Sequence, residues 1–229
     1  MRQDYFKNLF GQATKSFFSS KTVRTAFLGL SFLAPACFAE AQTLASLPPV
    51  GHSLADMGGA KPIMGWVRFC ETYASECAVN TAEPQTIELT PQVWKMITSV
   101  NQRVNASVKA VTDADHWGVV DVWGFPDDGK GDCEDFQLLK RRILAENGLP
   151  RRAMRMTVVI DELGEGHAVL LVRTNQGDYV LDNKTSTVLP WDRTGYVYIK
   201  RESQAGKGWV SLGGITSPTI SSPTTTANR

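Results

Sequence analysis

One short motif at the start of an amphipathic helix constrains this sequence more than any other feature. Residues 131–136 read Gly-Asp-Cys-Glu-Asp-Phe, which places a cysteine in the first helical turn after Asp132 as the expected N-cap. Three apolar residues then recur at helical spacing: Phe136, Leu139 and Ile143. Asn-Gly-Leu-Pro at residues 147–150 predicts the end of the helix. The motif therefore predicts a thiol at the positive end of a helix dipole, which lowers a thiol pKa.

The segment after this helix carries the pattern of an antiparallel sheet. Four runs are rich in β-branched and aromatic residues, at residues 154–161, 167–173, 179–182 and 196–200. Turns that contain glycine separate the first three runs, which predicts a meander. An earlier helix is predicted to begin at Thr90, because this N-cap residue precedes a proline and an apolar stripe. The pattern predicts an α+β domain in which the cysteine helix packs on an antiparallel sheet.

Three residues in this pattern are of the types that together form an activated thiol nucleophile. Cys133 begins the helix, His167 begins the second strand and Asp182 ends the third. If the hairpin turn centres near Gln176, His167 and Asp182 lie on neighbouring strands within a residue or two of the same level. In this order they predict a nucleophile, its general base and the residue that orients the base. Each residue taken alone also has a purely structural explanation. Cys133 would be a small buried residue, His167 an ordinary strand residue and Asp182 an acid at a turn.

The acids that flank the cysteine need an explanation of their own. Two carboxylates beside a thiol raise its pKa, unless a cation neutralises them. Asp132 and Glu134, with Asp135 or Asp121 in reach, offer hard oxygen ligands to Ca²⁺. The alternative is that these acids only satisfy the helix dipole at its N-terminus.

The first 39 residues have the pattern of an export signal. Basic residues precede an apolar run at residues 26–34, which is too short to span a bilayer as a stable helix, and Cys-Phe-Ala at 37–39 offers a cleavage site. The alternatives are an uncleaved membrane anchor and a lipoprotein attached through Cys37. Export predicts a periplasmic or secreted protein, with no stable membrane insertion once the signal is removed.

Net charge gives no indication of a nucleic-acid partner. Five of the 24 Lys and Arg residues and one of the 23 Asp and Glu residues lie in the predicted signal. Its removal therefore changes the formal net charge from +1 to −3. Neither value argues for binding of nucleic acid. The sequence also shows no basic patch with interleaved aromatic residues.

The remaining cysteines help to divide the chain. Cys70 and Cys77 have a spacing that suits a small-loop disulfide in an oxidising compartment, whereas a zinc site would need two more ligands nearby. Residues 40–89 are interpreted as a lead-in that contains this disulfide, and residues 90–202 as the core. Residues 203–229 are rich in Gly, Ser, Thr and Pro and are predicted to form a disordered tail.

The stretch from about residue 100 to residue 201 resembles the bacterial transglutaminase-like cysteine proteinases. The matching motifs are Gly-Asp-Cys-Glu-Asp at 131–135, Gly-His-Ala-Val-Leu at 166–170, Val-Leu-Asp-Asn at 180–183, Val-Asn at 100–101 and 104–105, and Asp-Val-Trp at 121–123. The resemblance implies a papain/transglutaminase-like core with Cys133, His167 and Asp182 as the triad. It also implies that Asp132 and Glu134 bind calcium.

The resemblance further implies a function. The best-understood relatives are calcium-dependent periplasmic proteases that cleave large surface adhesins and are sequestered by an inner-membrane receptor. An exported cysteine endopeptidase with a protein substrate, such as a surface adhesin, is therefore expected. Two alternative functions remain open. One is transfer of the acyl group to an amine, as in a transglutaminase. The other is a non-catalytic periplasmic module that has the same fold and binds a peptide in its groove.

Overall fold

A computed structural model describes residues 46–214 of the chain. The predicted signal segment and residues 215–229 of the predicted tail lie outside the described residues. Between residues 46 and 214, no helix has the length and apolar character needed to cross a bilayer.

Two long helices form close to their predicted positions. Helix α3 spans Pro91–Ser107 and helix α5 spans Cys133–Glu146. The Thr90 hydroxyl accepts a hydrogen bond from the backbone N–H of Val93 at 3.2 Å, so the predicted N-cap begins α3. Gly148, with a φ of 89°, follows the end of α5 as the predicted stop. The two helices pack against each other, and α5 also packs against the sheet.

Shorter helices occur where the sequence shows no clear periodicity. Within the described residues they are α1 (Met64–Thr72), α2 (Ala74–Cys77) and α4 (Asp113–Trp117). Cys70 and Cys77 form the predicted disulfide, with their Cα atoms 5.7 Å apart, and it ties the end of α1 to α2. Residues 113–117 are helical although they carry no apolar periodicity. Thr112 caps α4 there by accepting the backbone N–H of Asp115 at 3.2 Å.

Seven strands of the described chain form one antiparallel sheet, in the order β1-β9-β8-β4-β5-β6-β7. Their bounds are β1 (Gly59–Ala60), β4 (Met154–Ile160), β5 (Gly166–Thr174), β6 (Gly177–Leu181), β7 (Leu189–Pro190), β8 (Val197–Glu202) and β9 (Trp209–Ser211). Strands β2 (Lys109–Ala110) and β3 (Lys130–Gly131) form a separate parallel pair. Helices together with this sheet confirm the predicted α+β class.

The β5–β6 hairpin has nearly the predicted register. Thr174 lies opposite Gly177 and Leu170 lies opposite Leu181, so the turn centres within one residue of Gln176. Strand side chains alternate between the two faces of the sheet. On β5, Leu170 lies in the core that includes α3 and α5, whereas Leu171 lies in a second core that also contains Leu54 from the lead-in. Both faces of the central strands are therefore covered.

Residues 203–214, the described part of the segment predicted to be disordered, are structured. Strand β9 pairs with β8, and Trp209, which lies opposite Glu202, is buried. The predicted start of a disordered tail at residue 203 is therefore wrong. Residues 203–208 form a turn between β8 and β9. The prediction of disorder rested on the average composition of the segment, which does not reflect the buried ring of Trp209 that anchors β9.

A buried ion pair joins α5 to the sheet. Arg141 Nη1 donates to Glu202 Oε2 at 2.5 Å, and both side chains are buried. The other Glu202 oxygen accepts the Trp66 indole N–H at 2.6 Å, and Oε2 also accepts the backbone N–H of Met156 at 3.1 Å. Such additional hydrogen bonds to the carboxylate offset part of the cost of burying the charge pair. The network holds α1, α5, β4 and β8 together and so positions the N-terminus of α5.

Candidate active site

The structure brings His167 and Asp182 together at one end of the β5–β6 hairpin. His167 is the second residue of β5, and Asp182 directly follows the last residue of β6. His167 Nε2 and Asp182 Oδ1 are 2.8 Å apart, and both side chains are buried. The proximity expected from the hairpin register is therefore present. Because Nε2 bonds to the carboxylate, Nδ1 is the ring nitrogen left to exchange a proton with a third group.

Asp182 accepts several hydrogen bonds, which together favour its carboxylate form. Its Oδ1 also accepts the backbone N–H of Lys184 at 3.0 Å, and its Oδ2 accepts the Tyr196 hydroxyl at 2.7 Å. Burial raises the pKa of Asp182, but the hydrogen bonds and the charge of His167 outweigh burial and lower it to about 2. Sequence reasoning missed the contact of Tyr196, because no spacing rule relates this residue to Asp182.

The segment that carries Asp182 is anchored to one face of α3. Asn105 Nδ2 donates to the backbone carbonyls of Asp182 at 2.8 Å and Thr185 at 3.0 Å. Asn101 Nδ2 donates to the Thr185 carbonyl at 3.1 Å. The two asparagines are one turn apart, so they lie on the same helix face. The Val-Asn pairs of the sequence thus hold the turn after β6 in place.

Cys133 is the free cysteine of the described residues and the first residue of α5. Its half-buried thiol donates to Glu134 Oε2 at 3.1 Å and makes a backbone hydrogen bond with Ala168, the residue after His167. Burial and the charges of Glu134 and Asp132 raise the pKa of Cys133 well above its ordinary range, against the Ala168 hydrogen bond. The lowering expected from the helix dipole is therefore outweighed in the polypeptide alone. Burial is the largest cause, and the flanking acids add to it as predicted.

Three carboxylates converge at the start of α5. Asp113, Asp132 and Glu134 each place one oxygen within 4.8 Å of the others. The sequence points to Asp132 and Glu134 because they flank the cysteine. It does not point to Asp113, which begins α4 and reaches the cluster only through the tertiary fold.

The other two acids suggested by the sequence bind elsewhere. Asp121 Oδ2 accepts the backbone N–H of Gly65 at 2.7 Å, and Asp121 Oδ1 accepts the Trp123 indole N–H at 3.1 Å. Asp135 Oδ1 accepts the backbone N–H of Gly124 at 2.8 Å. Both carboxylates therefore organise the loop beside the cluster, and the hypothesis that they are ligands is not supported by the geometry.

The start of α5 has a different cap from the predicted one. Asp132 occupies the N-cap position but makes no side-chain cap hydrogen bond. Asp135, three residues later, accepts the backbone N–H of Asp132, as the third helical residue does in a capping box. A Cβ at Gly131 would lie 2.6 Å from Asp135 Oδ2, so the close approach of the cap requires glycine there. The cap leaves the Asp132 carboxylate for the acid cluster.

The acid cluster has the properties of a calcium site. Oδ1 of Asp113 and Oδ1 of Asp132 are buried and have no hydrogen-bond partner within residues 46–214. Burial and neighbouring carboxylates raise the pKa of Asp132 strongly and that of Glu134 to about 7. Buried oxygens without partners that repel one another are stabilised by a hard cation, and carboxylates are the ligands that Ca²⁺ prefers. The residues present therefore fit a calcium ion.

Comparison with known proteins gives a family match and several related structures. The family model described as bacterial transglutaminase-like cysteine proteinase BTLCP matches residues 57–217. A structure of Legionella pneumophila LapG is 26% identical, covers 54% of this chain and 71% of that chain, and has a TM-score of 0.46. Calcium-bound LapG is 24% identical, covers 57% of this chain and 75% of that chain, and has a TM-score of 0.47. EGTA-treated LapG is 26% identical, covers 53% of this chain and 68% of that chain, and has a TM-score of 0.46. No curated protein matches the chain.

The raised carboxyl pKa of Glu134 predicts a pH effect on stability when a chelator is present. Its folded-state pKa of about 7 lies above the ordinary value of 4.5, so between these values the folded protein binds more protons than the unfolded protein. The contribution of the Glu134 carboxyl to the free energy of unfolding is therefore fully present below its ordinary pKa. It is lost as pH rises through the folded-state pKa, which lowers the free energy of unfolding by roughly 2–3 kcal/mol. We expect urea unfolding between about pH 5 and about pH 7.5 to show a larger loss for wild type than for Glu134→Gln.

A matched control is Glu146→Gln, which removes an exposed carboxylate from the other end of α5. This variant should follow the wild-type pH dependence. If wild type and Glu134→Gln lose stability in parallel, the Glu134 carboxyl is not the buried titrating group.

Proposed function

Because the chain belongs to the bacterial transglutaminase-like cysteine proteinases and is therefore a cysteine peptidase, we propose that Cys133, His167 and Asp182 are its catalytic triad. The observation that carries the proposal is the 2.8 Å hydrogen bond between His167 and Asp182. It lies next to the strand residue, Ala168, whose backbone bonds to the thiol of Cys133. Membership of a protease family implies a protein substrate.

In the proposed mechanism, Asp182 orients the imidazole through Nε2, and Nδ1 takes the proton of the Cys133 thiol. The thiolate attacks the carbonyl carbon of a peptide bond, and the His167 imidazolium gives its proton to the leaving amine. The acyl part of the substrate is then held as a thioester on Cys133 until water hydrolyses it. The backbone N–H of Cys133 has no partner within the helix, because it belongs to the first turn, and it is the natural donor to the oxyanion.

We propose that Asp113, Asp132 and Glu134 hold a Ca²⁺ ion. When bound, the ion supplies positive charge that neutralises the carboxylates beside the thiol, so that they no longer oppose thiolate formation. The unpartnered buried oxygens of Asp113 and Asp132 support this assignment. The second oxygen of Asp113 accepts the backbone N–H of Val122 at 2.6 Å, so this ligand is held in place by the loop that follows α4.

We further propose that the enzyme acts in the periplasm or outside the cell. The Cys70–Cys77 disulfide supports this location, because such bonds persist in oxidising compartments. The resemblance extends the proposal to a large surface adhesin as the substrate and to an inner-membrane receptor as the regulator.

Hydrolysis is tested with surface proteins of the producing bacterium, incubated in calcium with purified wild type or Cys133→Ala. Mass spectrometry of new N-termini measures cleavage. We expect defined new N-termini with wild type and none above background with Cys133→Ala, which lacks the nucleophile. His167→Ala should lose about 10²–10⁴-fold in rate, because a general base contributes that much.

A biotinylated primary amine, added to the same reaction, distinguishes the alternative functions. Hydrolysis predicts new N-termini and no biotin in the products. Biotin incorporated into substrate proteins would contradict hydrolysis and would favour acyl transfer. Peptides retained by wild type and Cys133→Ala alike, without cleavage, would favour a binding module.

Calcium binding predicts a thermal shift that depends on Asp113. At a calcium concentration of about 100 times Kd, binding should stabilise the wild-type protein by about 2.7 kcal/mol relative to chelator. Asp113→Asn removes a charged ligand and should weaken calcium binding by at least about tenfold, as measured by calorimetry and by Tm.

The control for this variant is Asp127→Asn, which removes an exposed carboxylate from the same loop region. It should keep the wild-type affinity and Tm shift. The calcium hypothesis fails if Asp113→Asn binds calcium like wild type, or if the chelated wild-type enzyme keeps full activity and stability.

A further inference from the structure

Tyr196 reaches the candidate triad from a part of the chain that carries none of its members. It directly precedes β8, and a short 3₁₀ helix at Trp191–Arg193 begins the same turn. On β4, Val159 lies opposite both His167 and Tyr198. Because Tyr196 lies two residues before Tyr198, this turn is placed at the end of the sheet where β5 begins.

The side chain of Tyr196 contacts two members of the candidate triad. Its hydroxyl donates to Asp182 Oδ2 at 2.7 Å, and its ring lies nearly perpendicular to the His167 ring, with the centroids 5.9 Å apart. The other carboxylate oxygen, Oδ1, bonds to His167 Nε2 and accepts the backbone N–H of Lys184. Because both oxygens accept hydrogen bonds, rotation of the carboxylate about the Cβ–Cγ bond is restricted. The direction of the hydrogen bond to His167 is thereby fixed.

The Tyr196 hydroxyl is a donor to an ionised group. Burial and the Asp182 carboxylate raise the pKa of Tyr196, so the hydroxyl keeps its proton and donates it. Hydrogen bonds to an ionised carboxylate are roughly twice as strong as those between neutral groups. The same bond lowers the pKa of Asp182 and so helps to keep the carboxylate ionised.

The turn that carries Tyr196 is itself held in place. The backbone N–H of Tyr196 donates to Thr194 Oγ1 at 3.3 Å, and the Thr194 hydroxyl donates to the Trp191 carbonyl at 2.9 Å. The Tyr198 hydroxyl lies 3.0 Å from the same Thr194 oxygen. The Trp191 indole N–H donates to the backbone carbonyl of His52 at 2.9 Å. The turn is therefore anchored both to β8 and to the lead-in.

We propose that Tyr196 is a positioning residue for the triad. Its hydroxyl holds the Asp182 carboxylate so that His167 keeps its proton on Nε2 and presents Nδ1 to Cys133. The inference rests on the proposed triad, and Tyr196 acts through Asp182 and not on the thiol. The turn before β8 thereby contributes to a site that is otherwise built from α5 and the β5–β6 hairpin.

The test is Tyr196→Phe, which removes the hydroxyl and keeps the ring that contacts His167. We measure the rate at which iodoacetamide alkylates Cys133 in calcium as a function of pH. We expect the rise of this rate to move up by about one pH unit, with an about tenfold lower rate below it, because a hydrogen bond to a charged group contributes on that order. An unchanged profile would overturn the proposal. A shift to lower pH would also overturn it, because the hydroxyl would then act by withdrawing charge from Asp182.

Two comparisons make the test specific. Tyr179→Phe removes the hydroxyl of a buried tyrosine on β6, which donates to the Pro49 carbonyl at 2.9 Å, and should keep the wild-type alkylation profile whatever happens to Tm. A merely structural role of Tyr196 predicts the same behaviour for Tyr196→Phe. In an Asp182→Ala background, Tyr196→Phe should cause no further change in the alkylation rate, and an equally large effect there would contradict a route through Asp182.

Nitrogen-15 NMR of the His167 ring tests the positioning role without any reaction of the thiol. The chain has three histidines, and His167→Ala assigns the signal. In Cys133→Ala, at a pH where the ring is neutral, we expect the proton on Nε2, and in Cys133→Ala/Tyr196→Phe a mixture of both tautomers. An unchanged tautomer would count against the role of Tyr196. Absence of fast, His167-dependent alkylation in wild type would instead count against the proposed triad.

Discussion

The packing of α5 against β5 is the constraint on which the rest of the structure depends. The Arg141–Glu202 ion pair fixes this helix to the sheet, and the Asp135 cap fixes its first turn. Cys133 is therefore held where its thiol bonds to the backbone of Ala168, the residue after His167. In the proposed function, a helix holds the nucleophile and a strand holds its base, which preorganises the two groups for reaction.

The thiol lies between two opposing electrostatic effects. The dipole of α5 favours a thiolate at its N-terminus by about 0.3–1 kcal/mol, and by up to about 2 kcal/mol in a partly buried geometry. Burial and the carboxylates of Asp132 and Glu134 act in the other direction and raise the Cys133 pKa well above its ordinary range, at a cost of about 1.4 kcal/mol for each pKa unit. The dipole alone is therefore insufficient. A cation held by the same acids changes the balance, which couples thiol activation to calcium in the proposed function.

The sequence predicted those parts of the fold and site that depend on local patterns. The two long helices and four strands carry clear periodicity. The turn of the hairpin was predicted to within one residue, and this register placed His167 and Asp182 on neighbouring strands. Strands of two or three residues carry no periodicity, so β1, β7 and β9 were not predicted. Asp113 and Tyr196 join the site through α4 and the loop before β8, and such contacts are set by tertiary packing.

The most direct test of the triad is the rate at which iodoacetamide alkylates Cys133 as a function of pH. Wild type and His167→Ala are compared, each in calcium and in chelator. A thiolate–imidazolium pair predicts fast alkylation of calcium-loaded wild type well below the ordinary thiol pKa of about 8.5, and loss of this phase in His167→Ala and in chelator. Slow alkylation of wild type in calcium, with no change in His167→Ala, would contradict an assembled Cys133–His167–Asp182 triad.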